Sequence, residues 1–440
     1  MIRVRRIRFE QLKGLGMDDQ DAVVCYGCVG DEYLKTLIKS QGASLKCFYC
    51  KKKRKAITID VLSDWVAEVM WSFFENTSVW DRGDDLNFHV ADMLGRDDTD
   101  DDLVGDVCGE LVNCSQWDIM QGGEARFDEF GLYTARHLRP IEAERKWQDF
   151  RSSIMHKSRF FNQSGKEFLE WLFGSIDTFR NFKISDRNED AVVRTIKASD
   201  CLELFRAREC KSMDEARVIA NDPAEQLAAP PKEKARTGRM NPEGVPVFYG
   251  AFDRETCIAE LRPAVGGSVI SGQFKLTRDL RVLDFKRLED AYEHVHLSLF
   301  DPECRLKIER RKFLTTFHDK IKSPVLPKHE HEYLTTQVIA EYLSTQHTPR
   351  IDGVIFSSAQ NSGGLNIVLF AHVASLESTG EVLRPPHDPN KPTRGIEYVP
   401  ETLIRHKITA VKFDFDDDKF TGNDFDPFGT YPDYDEDWDW

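Results

Sequence analysis

No stretch of this 440-residue chain runs for about 18 apolar residues, so a membrane-spanning helix is not expected. The opening segment MIRVRRIRFEQLKG is basic but lacks the apolar core of a secretory signal, and the cytoplasm is the expected compartment. Repeats at solenoid-like periods are missing, which argues against a stacked-repeat architecture. No Gly-x-Gly-x-x-Gly turn accompanies the candidate site residues, and a Rossmann dehydrogenase is disfavoured on that ground. Net positive charge is lacking, the formal net charge being -15. That figure is local: from Asp414 onward eleven Asp or Glu face one Lys, a balance of -10. The rest is nearly balanced and carries a basic run at Lys51 to Lys55, so no global charge argument for nucleic acid follows.

What is present is enough for real cores, with 40% hydrophobic and 11% aromatic residues over a length that usually divides into two or three domains. Composition shifts suggest a knuckle segment over 1–55, a helical domain over 56–190, an α+β domain over 191–413 and an acidic, aromatic, disordered tail over 414–440. In the first, Cys25-x-x-Cys28 and Cys47-x-x-Cys50 have the spacing of two knuckles that supply a tetrahedral four-thiolate site. Four thiolates close the shell around a structural zinc; an iron–sulfur cluster or four unligated thiols are the alternatives. Between them, DEYLKTLIKSQG predicts a short helix closed by Gly42. The remaining six cysteines show no ligand spacing and read as buried thiols. The basic run after the second knuckle reads as a solvated face, a dock for the acidic tail or a nucleic-acid contact.

The second segment has helical periodicity. Leu62, Trp65, Val66, Val69 and Phe73 form one stripe with Asp60 as cap, and Ile141, Trp147, Phe150 and Ile154 form another. A third helix is expected in FLEWLFGSI. These aromatics read as packing residues rather than a ligand box. After about Asn188 strands dominate: LELFRARE, VPVFYG, VISGQFKL, RVLDF, GVIFS and LNIVLF, with one helix at TTQVIAEYL and a polar loop over 221–238. Few crossover helices separate them, which predicts a mixed α+β domain rather than a doubly wound sheet.

Within GRMNPEGVPVFYGAFDRETCIAE, Val245, Val247 and Tyr249 share one strand face, and Arg239 lies in the turn before it. Asp253 is placed to cap a short helix that carries Glu260 among apolar neighbours. A carboxylate there needs a partner or a ligand. Local chemistry leaves two readings open: an internal Arg239–Glu260 ion pair with Tyr249 in the core, or a binding site.

That stretch resembles the signature of the RES domain family, and the resemblance continues in order through LFRARE, RDLRVLDF, YLTTQVIAEYL and DGVIFSSAQNSGGLNIVLF, from about Leu202 to Phe370. It places the family's arginine, tyrosine, glutamate and serine on Arg239, Tyr249, Glu260 and Ser358. The family's tyrosine and proline before that serine are here Phe356 and Ser357. The resemblance implies a fold similar to ADP-ribosyltransferases and a toxin that consumes NAD, by hydrolysis or phosphorolysis of the nicotinamide–ribose bond. Glu260 would then stabilise oxocarbenium charge on the ribose, Arg239 would hold phosphates, Tyr249 would offer a face to the nicotinamide or ribose, and Ser358 would hydrogen-bond the ribose or carboxamide. Arg206 is a second phosphate candidate, with a structural surface arginine as the alternative.

The N-terminal half resembles the HEPN-like region that precedes RES domains. Arg151 and His156 follow the R-x4-H spacing of HEPN ribonucleases, with Ser152 where asparagine is usual. A structural or regulatory role for that half, transfer of ADP-ribose to a macromolecule, and RNA cleavage are the other functional readings. Expected partners are NAD, an antitoxin or regulatory protein and a second copy of the chain. Nucleic acid stays open, and a membrane is not expected.

Overall fold

The computed structural model describes residues 22–77, 83–120, 127–128, 130–159, 161–183, 190–293, 297–322, 333–374 and 395–411. The acidic segment 414–440 lies outside them. Among the described residues, no helix is long and apolar enough to cross a membrane.

Three short antiparallel strands close around the cysteine knuckles: β1 (Val23–Cys25), β2 (Ala43–Lys46) and β3 (Lys53–Thr58), in the order β1-β3-β2. Between β1 and β2, α1 (Glu32–Gln41) has Asp31 as its N-cap and Gly42 as its C-cap, the helix expected from the spacing. Next come α2 (Ile59–Phe73), β4 (Phe74–Thr77), β5 (Asp84–Asp85), α3 (Leu86–Leu94), α4 (Asp102–Met120) and β6 (Leu132–Ala135). The expected Asp60 cap is wrong by two residues: Thr58 holds the N-cap position and Asp60 lies in the first turn. Leu62, Val66 and Val69 are buried as the periodicity requires, in one core with the knuckles. Gly95 ends α3 with φ 64°, and Gly30 lies so close that a Cβ on it would meet the Gly95 carbonyl oxygen at 2.3 Å. Glycine at both positions therefore lets the knuckle seat on the helix end.

Two further helices, α5 (Ile141–His156) and α6 (Gln163–Phe173), lead through β7 (Phe179–Asn181) to β8 (Val193–Ile196). Trp147, Phe150 and Ile154 are buried, but Ile141 is 66% exposed, so the stripe begins at Ala143 instead.

The remaining elements are β9 (Leu204–Cys210), α7 (Met213–Asn221), α8 (Pro223–Gln226), β10 (Phe248–Ala251), α9 (Arg254–Ala259), β11 (Ser268–Leu276), β12 (Leu280–Asp284), α10 (Phe285–Leu288) and β13 (Ala291–Glu293). After these follow α11 (Cys304–Lys322), α12 (Tyr333–Thr345), β14 (Gly353–Ser357), β15 (Leu365–Leu369), α13 (Ala371–Ala374), β16 (Ile396–Tyr398) and β17 (Ile404–Lys407). A nine-stranded sheet runs β16-β11-β9-β10-β15-β14-β12-β8, with β17 also pairing β11. Among the described residues only the β12–β14 pairing is parallel, and the chain is α+β as expected. The stretch 221–238 is less of a loop than its polarity suggests. It contains α8 and a 3-10 turn, and its Leu227, Ala228 and Ala229 are buried against the sheet.

The sheet has a core on each face. On one, Leu227, Phe248, Phe274 and Ile367 pack together. On the other, Trp147, Phe150 and Phe168 from α5 and α6 share a single core with Leu283, Phe313, Phe317 and Val354. The two helices are therefore a layer of the sheet domain. The long, charged α11 was not evident from sequence; it buries Phe313, Leu314, Phe317 and Ile321 in this core. It also holds α5 by polar contacts, since Glu309 accepts from the Glu142 N–H at 2.8 Å and Lys320 pairs with Glu144 at 3.0 Å. The segment before it reaches the N-terminal core: Phe300 is buried there, and Ser298 donates to Asp31 at 2.8 Å.

Candidate active site

The turn that carries Arg239 is held from three sides. Asn241 is buried, and its amide donates to the carbonyls of Arg236, Pro242 and Val245 at 2.9, 3.1 and 2.9 Å. From β10, the Tyr249 hydroxyl accepts the Met240 N–H and donates to Asn241 Oδ1, both at 2.9 Å. Gln337 of α12 donates to the carbonyls of Gly238 and Asn241 at 2.8 and 3.0 Å. Only glycine fits at 238, since a Cβ there would meet the Tyr249 hydroxyl at 2.7 Å. Tyr249 thus shapes the arginine turn with its hydroxyl, and burial pushes its ionisation up to about 12. Arg239 donates to the Ile321 carbonyl at the end of α11 and lies 5.9 Å from the centre of the Tyr333 ring. Burial lowers its pKa, while Tyr333, Glu260 and Tyr249 oppose that shift.

Glu260 ends α9. Asp253 caps this helix as expected, accepting from the Thr256 N–H at 2.7 Å and from its hydroxyl at 2.7 Å. Asn361 in turn donates to the Thr256 hydroxyl at 2.7 Å, which ties α9 to the loop between β14 and β15. Asp253→Ala removes the cap and loosens this link; we expect a loss of about 1 kcal/mol in chemical denaturation. Unchanged stability would show that the cap is dispensable.

One carboxylate oxygen of Glu260 is fully engaged. Oε1 accepts from Ser358 Oγ at 2.5 Å and from Asn366 Nδ2 at 2.7 Å. The Ser358 hydroxyl also accepts the N–H groups of Gln360 and Asn361, each at 3.1 Å, so its single proton is directed to Glu260. Oε2 takes no hydrogen bond from the described residues and faces outward on an exposed side chain. The internal Arg239–Glu260 ion pair left open by the spacing is not among the contacts of the described residues. The structure instead places Glu260 and Tyr249 close enough to act on the charge of Arg239 and joins Ser358 to Glu260, with Asn366 as a Glu260 partner that sequence reasoning missed. An asparagine within the apolar run LNIVLF was the available signal.

Arg206 lies on β9 beside this group. Its Nη1 is buried without a hydrogen-bond partner, and its guanidinium sits 5.2 Å from the centre of the Phe248 ring. Burial lowers its pKa to about 10, opposed by neighbouring Cys257 and Tyr249. Arg206 is half-buried, and one nitrogen of this cation lacks both solvent and a hydrogen-bond partner.

The knuckles form a second centre. Cys25, Cys28 and Cys47 are buried, and all four Sγ atoms lie within 4.8 Å of one another. Neighbouring separations of 3.5, 3.7 and 3.8 Å match the edge of about 3.8 Å that a tetrahedral zinc–thiolate site requires. Burial pushes the Cys25 and Cys28 thiols up, whereas the Lys52 N–H draws Cys50 down to about 7. A cation would offset the cost of ionising the buried pair. The four residues fit a closed structural zinc, which would supply folding energy and no open position. Native protein is expected to release about one zinc per chain on thiol modification, and Cys28→Ser protein to carry far less; metal analysis decides this. Of the other cysteines, Cys108, Cys210, Cys257 and Cys304 are buried, but Cys114 and Cys201 are exposed, contrary to expectation. Arg151 and His156 fall at the C-terminal end of α5, Arg151 half-buried and His156 exposed.

A mixed sheet thus carries a carboxylate, two arginines and a tyrosine near one another. Residues 204–387 match the family model described as RES domain. The match suggests an NAD-related, toxin-like function for this part of the chain. No curated protein and no solved structure matches the chain. The match begins at 204, leaving outside it α5, α6 and β8, which complete the same core and sheet.

Proposed function

We propose that the chain cleaves the nicotinamide–ribose bond of NAD, as a toxin of a toxin–antitoxin or phage-defence system. The observation that carries this reading is the convergence of a half-satisfied carboxylate, Glu260, with the buried, unpartnered Arg206 Nη1 around Tyr249. The arginines suit the diphosphate, with Arg206 gaining the anion its site lacks. As the C1′–N bond breaks, its electron pair stays on the ring nitrogen and neutral nicotinamide departs. Glu260 Oε2 stabilises the oxocarbenium charge left on the ribose. Water or phosphate then attacks C1′ and loses a proton. Ser358 and Asn366 hold Oε1, so the working oxygen keeps one position.

Purified protein should deplete NAD and release nicotinamide in equal amount. Reactions with and without inorganic phosphate, followed by product identification, separate hydrolysis from phosphorolysis. Label from NAD appearing on a macromolecule would favour ADP-ribosyl transfer, and absence of nicotinamide release under all these conditions would sink the proposal.

The N-terminal half is proposed to regulate the site, together with an antitoxin or other partner protein. Support comes from α11, which contacts α5 through Glu309 and Lys320 and contacts Arg239 through the Ile321 carbonyl.

A further inference from the structure

We propose that His318, locked by Glu289, is a positioning residue that sets the Ser358–Glu260 pair. This rests on the proposed NAD cleavage for its kinetic readout. His318 is completely buried on α11. Its Nε2 faces the N–H of Ser357 at 3.0 Å. A backbone N–H only donates, so Nε2 must carry a lone pair and the ring proton must sit on Nδ1. Nδ1 faces the Glu289 carboxylate, which Lys286 also holds. The neighbours therefore define one tautomer, an acceptor aimed at the end of β14.

Ser357 is the last residue of that strand, and the functional serine follows it. Ser358 N–H donates to the Gly364 carbonyl at 2.9 Å, and its hydroxyl takes the two loop amides described above. His318 supplies the anchor on the other side of the turn. Here the family resemblance gives a contrast within this chain. A proline before the serine would fix the backbone by its ring and would have no N–H to satisfy. Serine at 357 leaves both the φ angle and a donor to be controlled, and the buried imidazole meets both needs. Because α11 also holds Arg239 through Ile321, one helix fixes two walls of the cleft.

The test compares wild type, His318→Leu and His318→Gln in the full-length protein, with steady-state NAD kinetics and amide exchange over 353–361. Leucine fills the space without an acceptor, whereas a glutamine carbonyl can accept the Ser357 N–H. His318→Leu is expected to lower kcat about tenfold or more with KM changed less than about twofold, and to speed exchange in 353–361. His318→Gln should remain within about threefold of wild type in kcat, with slow exchange. Should His318→Leu not fold, Glu289→Ala serves instead: it frees the tautomer, and a several-fold fall in kcat with faster exchange is expected. Wild-type kcat and exchange in the leucine or alanine variant would overturn the assignment, as would a glutamine variant as impaired as leucine. If wild-type protein does not cleave NAD, the cleavage proposal fails, while the exchange comparison still decides the role of His318.

Discussion

Glu260→Gln is expected to lower nicotinamide release from NAD by about 10³-fold while leaving the protein folded. Glutamine retains a carbonyl oxygen that can accept from Ser358 and Asn366, so the substitution removes the charge with little change of shape. Developing positive charge on the ribose then loses its nearest counter-charge at the stage where that charge is greatest. NAD affinity should change little, because the ground-state sugar is neutral. The side chain is exposed, so thermal unfolding should shift by no more than about 0.5 kcal/mol in stability. Kinetics and calorimetry on one preparation check both halves. A variant that still turns over NAD at near the wild-type rate would remove Glu260 from the chemistry.

Arg206→Met should separate stability from binding. The wild-type guanidinium has a buried nitrogen with no partner, and burial, with a smaller contribution from Arg208, pulls its pKa down to about 10. Methionine has similar length, no charge and no donor to satisfy. Replacing an uncompensated buried cation with an apolar side chain is expected to stabilise the free protein by about 1–3 kcal/mol. If Arg206 meets the diphosphate as proposed, the same change should lower NAD affinity about 100-fold. Calorimetric melting and titration with NAD read the two effects separately. Lower stability with unchanged affinity would mean that Arg206 serves the fold alone.

Features set by short-range spacing were legible in the sequence. The knuckle cysteines, the α1 caps and the Asp253 cap each depend on residues a few positions apart, and the structure has them where the spacing puts them. Asp60 and Ile141 show the limit, because periodicity locates a helix face better than its first turn. The α+β class followed from the strand density. What could not be read was which distant strands lie side by side. Asn366 reaches Glu260 because β15 pairs with β10, a choice made by the whole sheet. His318 was hidden for another reason. CRLKIERRKFLTTFHDKIK is mostly charged, and only Phe313, Leu314, Phe317 and Ile321 reveal the side that enters the core. The buried alanines after α8 escaped notice because alanine carries little weight in a hydrophobic pattern.

The shared core of α5, α6 and the sheet also bears on when the Glu260 site is assembled. Translation produces these helices first, and the last residue of the Glu260 cradle, Asn366, leaves the ribosome long after them. A nascent chain therefore has its supporting layer waiting but no complete Glu260 cradle until Asn366 has been made. A fragment beginning after Phe173, from an internal start or a protease cut, would retain Arg206, Arg239, Glu260 and Ser358. It would lack Trp147, Phe150 and Phe168, leaving Phe313, Phe317 and Val354 open to water. Such a fragment carries these four side chains without the aromatic layer that packs against the sheet, so their alignment is tied to the presence of α5 and α6.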